Sequence, residues 1–299
     1  MQRNDGDPIL KIEVNGATLE VARSRPTTTT GDDPAPTGVV VAAAHPADAL
    51  GVPTAVLLAE AAGVPVVCIN PRGLGASTPP PAGAQDLEQM VDDVEAVRRQ
   101  LDLGAWVFWG MSGGGWLGQI YARKYPGSIR GLVLESSCAC FRVRLADPDC
   151  LLSPLNPSWR AALEQRGLIA PDSHAEPTSP GKRAATTWIE VPGVGSIWRQ
   201  VDGPARLVAP FPLSPEMRAI MPQLWAFDAR GWLNQIDAPT LVIAGSADPV
   251  VPVAHAEALC RGIRGAEILH VAGGGHVPVS QGRPEIGAAV QRLLRERVR

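Results

Sequence analysis

Short apolar runs alternate with longer amphipathic stretches from about residue 37 to the end of the chain. Six of the runs predict buried strands, because each is short, bulky and apolar on both faces, as parallel strands covered by helices must be. They are 39–44, 64–69, 105–110, 131–136, 240–245 and 266–271. Apolar residues at helical spacing predict helices at 86–103, 253–264 and 283–298. The alternation predicts an α/β fold with a mostly parallel, doubly wound sheet.

The N-terminal part of the chain has another pattern, in which apolar and polar residues alternate one by one. This pattern covers residues 11–24 and is interrupted by Asn15-Gly16, a dipeptide typical of tight hairpin turns. We therefore expect an N-terminal antiparallel hairpin. With the six buried runs it predicts a sheet of about eight strands.

Residues 137–232 break the alternation. This region is rich in Pro, Arg and Trp and has no clear buried strand. A structureless loop of that length is improbable in a compact domain, so we predict an inserted, mainly helical cap with helices at 155–167 and 214–227. The α/β core is then expected in 1–136 and 233–299. Five tryptophans of the insertion favour an apolar substrate or an apolar cap interior equally: Trp159, Trp188, Trp198, Trp225 and Trp232.

Composition limits the classes of function. The 299 residues have a formal net charge of −3 and no basic run, so no nucleic-acid partner is expected. No stretch has the length and apolar purity of a membrane span, and the N-terminus has no apolar signal core. We therefore expect a cytoplasmic protein without a membrane partner. The sequence leaves open whether it is a monomer or a homodimer.

The five cysteines give no metal or disulfide pattern. Their number is odd and their spacing lacks paired CxxC motifs, so no metal is expected. Cys138 and Cys140 form a CxC motif that could be redox-active, but two free thiols are favoured in a cytosolic protein.

Five glycines surround one serine in FWGMSGGGWLG, residues 108–118. Gly110–Gly114 matches G-x-S-x-G between a predicted strand and a predicted helix, the context of a nucleophile elbow. Small neighbours are needed where the strand and the helix approach closely. Glycine-rich turns also bind phosphate, but such a loop would continue with Lys and Ser or Thr, whereas Trp116-Leu117 follows here. Ser112 is therefore the predicted nucleophile.

A serine hydroxyl needs a base, and the base needs an acid that orients it. Of five histidines, His276 lies in the glycine-rich segment AGGGHVPV directly after the last predicted strand. Asp248 follows the strand at 240–245 and completes the chain order Ser, Asp, His. An Asp-Pro turn is the plain alternative for Asp248. Glu135, at the end of strand 131–136, is a second candidate acid, although a polar strand end is the favoured interpretation.

At these residues the chain resembles the α/β-hydrolase superfamily over nearly its whole length. The resemblance rests on the elbow at Gly110–Gly114, on GSADPVVP and GGGHVP around the acid and the histidine, and on NPRGLGAS at 70–77. The last segment is similar to the family's D-x-R-G-x-G-x-S turn, with Asn70 in place of Asp. The resemblance implies that this turn is structural and borders the pocket, that 137–232 is a cap over the active site, and that no cofactor is needed.

One segment departs from the family pattern. Members commonly have His-Gly-x after the third strand, and the x residue donates an oxyanion-hole N–H. Here the segment is His45-Pro46-Ala47. The resemblance therefore implies the N–H groups of Ala47 and Gly113 as donors, since proline has none. A distorted or weakened oxyanion hole stays open as an alternative.

The predicted function is a cofactor-free serine hydrolase that cleaves a carboxylic ester or lactone of a small, largely apolar substrate through an acyl-enzyme. A carbon–carbon bond hydrolase would use the same triad. A proline-iminopeptidase-like aminopeptidase is disfavoured because its HGGPG-type loop is absent, and a haloalkane dehalogenase because the elbow carries Ser instead of Asp. A weakly catalytic protein that binds a small molecule is the alternative from another class. The sequence does not identify the substrate or the cap residues around the pocket.

Overall fold

The structure of the protein is a computed structural model that describes residues 8–27, 38–81, 86–153, 156–157, 186–191, 195–200 and 215–298. For 186–191, 195–200 and 215–218 the description is limited to the backbone. The strands are β1 Ile9–Val14, β2 Ala17–Ser24, β3 Val41–Ala44, β4 Val66–Ile69, β5 Trp106–Met111, β6 Ile129–Glu135, β7 Thr186–Val191, β8 Gly195–Gln200, β9 Thr240–Gly245 and β10 Glu267–Val271. The α-helices are α1 Val52–Ala62, α2 Leu87–Gln100, α3 Gly114–Lys124, α4 Phe141–Leu145, α5 Pro215–Ala226, α6 Val253–Gly262 and α7 Pro284–Glu296.

Eight of the strands form one sheet in the order β1-β2-β4-β3-β5-β6-β9-β10. The pairs β1–β2 and β2–β4 are antiparallel, and every other pair in this sheet is parallel. The predicted fold class is therefore confirmed, including the N-terminal hairpin. Asn15 and Gly16 both have positive φ, 48° and 73°, as a tight two-residue hairpin turn requires.

The central strands are buried on both faces, which explains their continuous apolar sequences. In β5, Trp106 and Phe108 pack with one hydrophobic cluster that includes α2 and α3. Val107 and Trp109 point to the opposite face and pack with a second cluster that includes α1 and α7. The sheet therefore separates two layers of helices. The candidate site residues Ser112, Asp248 and His276 all follow the carboxyl ends of strands.

The region between β6 and β9 contains α4, the antiparallel pair β7–β8 and α5 among its described residues. Helix α5 agrees with the helix predicted at 214–227, whereas the β7–β8 pair has no counterpart in the prediction. The helix predicted at 155–167 lies outside the described residues except for 156–157. Cys140 and Asp228 form an antiparallel bridge, so the two ends of this region meet close to the end of β6.

Within the described ranges, no helix is both long and apolar enough to cross a bilayer.

Candidate active site

Ser112 lies in the sharp turn between β5 and α3. Its φ of 49° is in the left-handed region, which non-glycine residues rarely adopt. Two backbone hydrogen bonds hold this conformation: the Ser112 N–H donates to the Glu135 carbonyl at 2.8 Å, and the Gly115 N–H donates to the Ser112 carbonyl at 3.1 Å. The serine therefore stands at the carboxyl edge of the central strands, in the strained geometry of a nucleophile elbow.

The glycines next to Ser112 are required by close backbone contacts. A Cβ on Gly110 would lie 2.5 Å from the Gly114 carbonyl oxygen, and a Cβ on Gly114 would lie 2.4 Å from the carbonyl oxygen of Ala44 in β3. A Cβ on Gly115 would lie 2.2 Å from Ser137 Oγ. All three distances are too short for real side chains, so the turn needs several glycines at once.

The structure brings Ser112, His276 and Asp248 into one chain of hydrogen bonds. Ser112 Oγ and His276 Nε2 are 2.9 Å apart, and His276 Nδ1 and Asp248 Oδ2 are also 2.9 Å apart. A carboxylate that accepts from Nδ1–H leaves Nε2 as the acceptor for the serine proton. The three side chains predicted as nucleophile, base and acid thus lie within hydrogen-bond distance of one another, in that order.

Asp248 is fixed more firmly than an exposed turn residue would be. Its Oδ1 accepts the backbone N–H groups of Val250 and Val251 at 2.8 and 2.9 Å, and the side chain is 1% exposed. Burial on its own raises the pKa of Asp248, but the hydrogen bond from His276, the His276 charge and the two amides together hold it below the ordinary value. The carboxylate is therefore charged when it faces the imidazole.

Glu135, the second candidate acid, does not contact His276. It is fully buried and accepts hydrogen bonds from Trp109 Nε1 at 2.9 Å and from the Val279 N–H at 2.7 Å. Burial raises its pKa to about 7, although both hydrogen bonds act in the opposite direction. Glu135 connects the end of β6 to the segment that follows His276. This supporting role was not predicted, since a polar residue at a strand end gives no sign of a partner 144 positions away.

The two predicted oxyanion-hole donors differ in what their N–H groups do. The Gly113 N–H, at the start of α3, has no hydrogen-bond acceptor in the described part of the chain. The Ala47 N–H instead donates to His45 Nδ1 at 3.2 Å, and the Asp48 N–H donates to the same atom at 2.9 Å. The Ala47 N–H thus already has an acceptor within the loop, and its role as an oxyanion-hole donor stays a prediction. After Pro46 the chain folds back over the His45 ring, and this turn directs the amide into the loop.

The turn at 70–77 is held by polar contacts of its own. Asn70 Oδ1 accepts the Leu50 N–H at 2.6 Å, and Asn70 Nδ2 donates to Glu20 Oε1 at 2.7 Å. Ser77 Oγ donates to the Asn70 carbonyl at 2.7 Å. Asn70 therefore supports the loop geometry in the place where the family pattern has Asp, and it takes no part in the hydrogen-bonded chain at Ser112.

The five cysteines all lie in the described part of the chain and form no disulfide. Cys68, Cys138, Cys140, Cys150 and Cys260 are free thiols. Over the ranges that the structure describes, no three His, Cys, Asp or Glu side chains are arranged as metal ligands.

Two family models match the chain. One, described as "alpha/beta hydrolase fold", matches residues 52–173, and the other, described as "TAP-like protein", matches residues 223–297. An alpha/beta fold family hydrolase from Bacillus anthracis superposes with a TM-score of 0.65 at 13% identity, over 94% of this chain and 98% of that one. With the sheet order and the elbow at Ser112, these matches show that the chain belongs to the α/β-hydrolase superfamily.

Two curated proteins of known activity are similar in sequence to this chain. The 3-oxoadipate enol-lactonase 2 of Acinetobacter baylyi is 27% identical over 206 residues, which are 66% of this chain and 67% of the lactonase. The proline iminopeptidase of Neisseria meningitidis is 36% identical over 76 residues, so the match spans about a quarter of each chain, 25% of this one and 24% of the peptidase. Both relatives are hydrolases, and hydrolase is the class that the comparisons support for this protein.

Proposed function

We propose that the protein is a serine hydrolase that cleaves carboxylic esters or lactones through an acyl-enzyme. The observation that carries this proposal is the hydrogen-bonded chain from Ser112 Oγ through His276 to Asp248. A serine in a strained turn, a base at 2.9 Å and a buried acid behind the base together form an activated nucleophile. A turn that served only packing would not need the histidine or the aspartate.

The reaction has two halves that use the same residues. Ser112 Oγ attacks the substrate carbonyl carbon while His276 Nε2 takes the serine proton, and Asp248 stabilises the imidazolium that forms. The Gly113 N–H and the start of α3 face the negative charge that develops on the carbonyl oxygen. When the intermediate collapses, His276 gives the proton to the leaving oxygen. Water then attacks the acyl-enzyme with His276 as the base, which releases the acid and restores Ser112.

An ester or lactone is the substrate class we propose, for two reasons. Of the two relatives, the enol-lactonase has the longer match. The described site also has the polar groups that acyl transfer needs, namely a serine, a histidine and a carboxylate. We further propose that residues 137–232 cover the site as a cap. Helices α4 and α5 support this, because Phe141 and Phe227 at their ends pack on Trp116 of α3, with ring centroids 5.5 and 6.0 Å apart. Such aromatic surroundings favour an apolar substrate.

An aminopeptidase is the second candidate, and the short match to the proline iminopeptidase favours it. The segment His45-Pro46-Ala47 argues against it, because the HGGPG-type loop of those enzymes is absent. Proline p-nitroanilide separates the two candidates from a short-chain p-nitrophenyl ester and a simple lactone. We expect turnover of the ester and the lactone, and none of the anilide.

A fluorophosphonate tests the proposed mechanism directly. We expect intact-mass analysis to show one adduct per chain, and no adduct in Ser112→Ala or His276→Ala, because the reagent reacts only with an activated serine. His270→Ala is the matched control, since His270 is an exposed histidine on β10. A well-folded wild-type protein that forms no adduct and hydrolyses neither substrate would refute the proposal and favour a protein that only binds a small molecule.

A further inference from the structure

His45 lies beside the nucleophile elbow, directly after β3. A Cβ built on Gly113 would be 2.7 Å from His45 Nε2 and 3.1 Å from His45 Cε1. The edge of the imidazole that carries Nε2 therefore faces the Cα of Gly113, the residue that follows Ser112. His45 as a whole is only 6% exposed, and this edge of the ring lies beside the elbow.

The contacts of the other ring nitrogen decide where the His45 proton is. Nδ1 accepts the Ala47 N–H at 3.2 Å and the Asp48 N–H at 2.9 Å, and an atom that accepts two hydrogen bonds has no proton to donate. The Asp48 carboxylate is also 3.1 Å from Nδ1, but this side chain is 71% exposed, and solvent screens its charge. The neutral ring is therefore protonated on Nε2.

The ring is neutral at ordinary pH. Burial lowers the pKa of His45 to about 4, with the Asp48 carboxylate acting in the opposite direction and the charge of His276 adding to the lowering. A neutral imidazole can donate a hydrogen bond from Nε2 without placing a permanent positive charge beside the catalytic base.

The Nε2–H group has no acceptor among the described residues. The Nε2 atom is not one of the fully buried polar atoms, so the oxygen of a molecule that enters the site can reach it. The Gly113 N–H next to it also has no acceptor in the described ranges. Two unpaired donors thus lie side by side at the turn that holds Ser112.

We propose that His45 Nε2–H is a side-chain donor of the oxyanion hole and acts together with the Gly113 N–H. In this arrangement the imidazole replaces the amide of residue 47, which is occupied by Nδ1, and the two amides after Pro46 hold the ring in its orientation. The inference rests on the proposed serine hydrolase function. It makes His45 a catalytic residue, because Nε2–H would contact the substrate oxygen on which negative charge develops.

Two substitutions separate the two ring nitrogens. His45→Asn keeps an acceptor near the place of Nδ1 but loses the Nε2 donor, whereas His45→Gln keeps a donor near the place of Nε2 but loses the Nδ1 acceptor. Loss of one oxyanion-hole donor typically lowers kcat by about 10²- to 10³-fold. We expect a loss of this size in H45N, with KM for the p-nitrophenyl ester little changed, and a clearly smaller loss in H45Q. His270→Asn, at an exposed histidine, is the control and should keep wild-type kcat.

Two outcomes with these variants would overturn the inference. Wild-type kcat in a folded H45N would show that the reaction does not use Nε2–H. Equal losses in H45N and H45Q would show that the ring only anchors the loop. Thermal unfolding of each variant reports whether it is folded.

NMR of the wild-type protein with ¹⁵N-labelled histidine tests the inference without any substitution. We expect the Nε2–H tautomer of His45 in the free protein and a downfield shift of this proton when the fluorophosphonate adduct places a phosphonyl oxygen in the hole. An adduct with His45 in the Nδ1–H tautomer, or without the proton shift, would overturn this inference alone. No adduct on a protein with the Nε2–H tautomer would refute the proposed function instead.

Discussion

At the scale of single residues, the candidate site depends on how the side chains of Ser112, His276 and Asp248 are oriented towards one another. Ser112 is held at φ 49°, which exposes its Oγ, and His276 lies between that oxygen and Asp248. Strained backbone of this kind persists only where the surroundings hold it, which the bonds from Ser112 to Glu135 and Gly115 do here. The chemistry therefore depends on local geometry that each neighbour enforces.

Asp248→Asn tests the role of the acid. The amide can donate to Nδ1, which would favour the imidazole tautomer with its proton on Nε2, so His276 could no longer accept the serine proton. We expect kcat for the p-nitrophenyl ester to fall by about 10⁴-fold, as is typical of this change in a serine triad. Steady-state assays with the p-nitrophenyl ester at neutral pH measure this change in kcat.

The control for this prediction is Asp237→Asn, at an exposed aspartate ahead of β9. It should leave kcat unchanged. A D248N enzyme within tenfold of wild type would contradict the assignment of Asp248 as the orienting acid.

At the scale of elements, the start of α3 lies unusually close to the sheet. The Cα of Gly114 faces the carbonyl oxygen of Ala44 in β3, and a Cβ there would be 2.4 Å from that oxygen. The contact is with backbone, which cannot rotate away as a side chain could. The position of the helix, and with it the Gly113 N–H, is therefore set by the absence of side chains at the crossing.

Gly114→Ala should destabilise the protein by about 1–3 kcal/mol, because the added methyl group forces α3 away from β3. Helix propensity alone predicts the opposite sign, since alanine is favoured over glycine by up to about 1 kcal/mol. The free energy of unfolding in urea measures the outcome.

Gly104→Ala is the matched control, because nothing lies within 4 Å of a Cβ at this exposed glycine. We expect its stability to be close to that of the wild type. Equal stability of G114A and wild type would show that α3 can move away from the sheet at no energetic cost.

At the scale of the whole molecule, the parallel sheet brings distant parts of the chain to one edge. Ser112 follows β5, Asp248 follows β9 and His276 follows β10, so carboxyl ends of three strands supply the site. Ligands and reactions of open α/β sheets are found at this edge. Glu135 at the end of β6 adds a connection to the C-terminal segment, through its hydrogen bond from the Val279 N–H.

The raised pKa of Glu135 makes folding stability depend on pH. In the folded protein the pKa is about 7, against 4.5 for the ordinary carboxyl, so the folded state binds the proton more tightly than the unfolded state does. Its contribution is complete below pH 4.5 and is lost as the pH rises through about 7. Between pH 5 and 8 we expect wild type to lose about 2–3 kcal/mol of unfolding free energy relative to Glu135→Gln, which cannot ionise.

Urea unfolding of both proteins at pH 5 and pH 8 provides the comparison. The low pKa of His45 makes the free energy of unfolding fall as the pH becomes acidic, which is the opposite trend. This effect is common to both proteins and cancels in the difference between them. A constant difference between wild type and E135Q over this range would mean that Glu135 ionises normally in the folded state.

Most of the sheet was predictable from the hydrophobic pattern, because strands buried on both faces have to be apolar throughout, as in β5 and β9. The elbow was predictable from Gly110–Gly114, since its glycines reflect a local steric demand. The pair β7–β8 was not predicted, because residues 137–232 lack the apolar runs by which the other strands were recognised.

The sequence by itself determined the order of the strands along the chain, the strained turn at Ser112 and the chain order of the proposed nucleophile, acid and base. These properties depend on local composition and spacing. Only the tertiary structure decided that Asp248 and not Glu135 faces His276, and that the Ala47 amide binds the His45 ring. A hydrogen bond depends on where the fold places two groups and on the direction in which each points. Residues 28 positions apart, such as Asp248 and His276, acquire that relation only when β9 and β10 pair in the sheet.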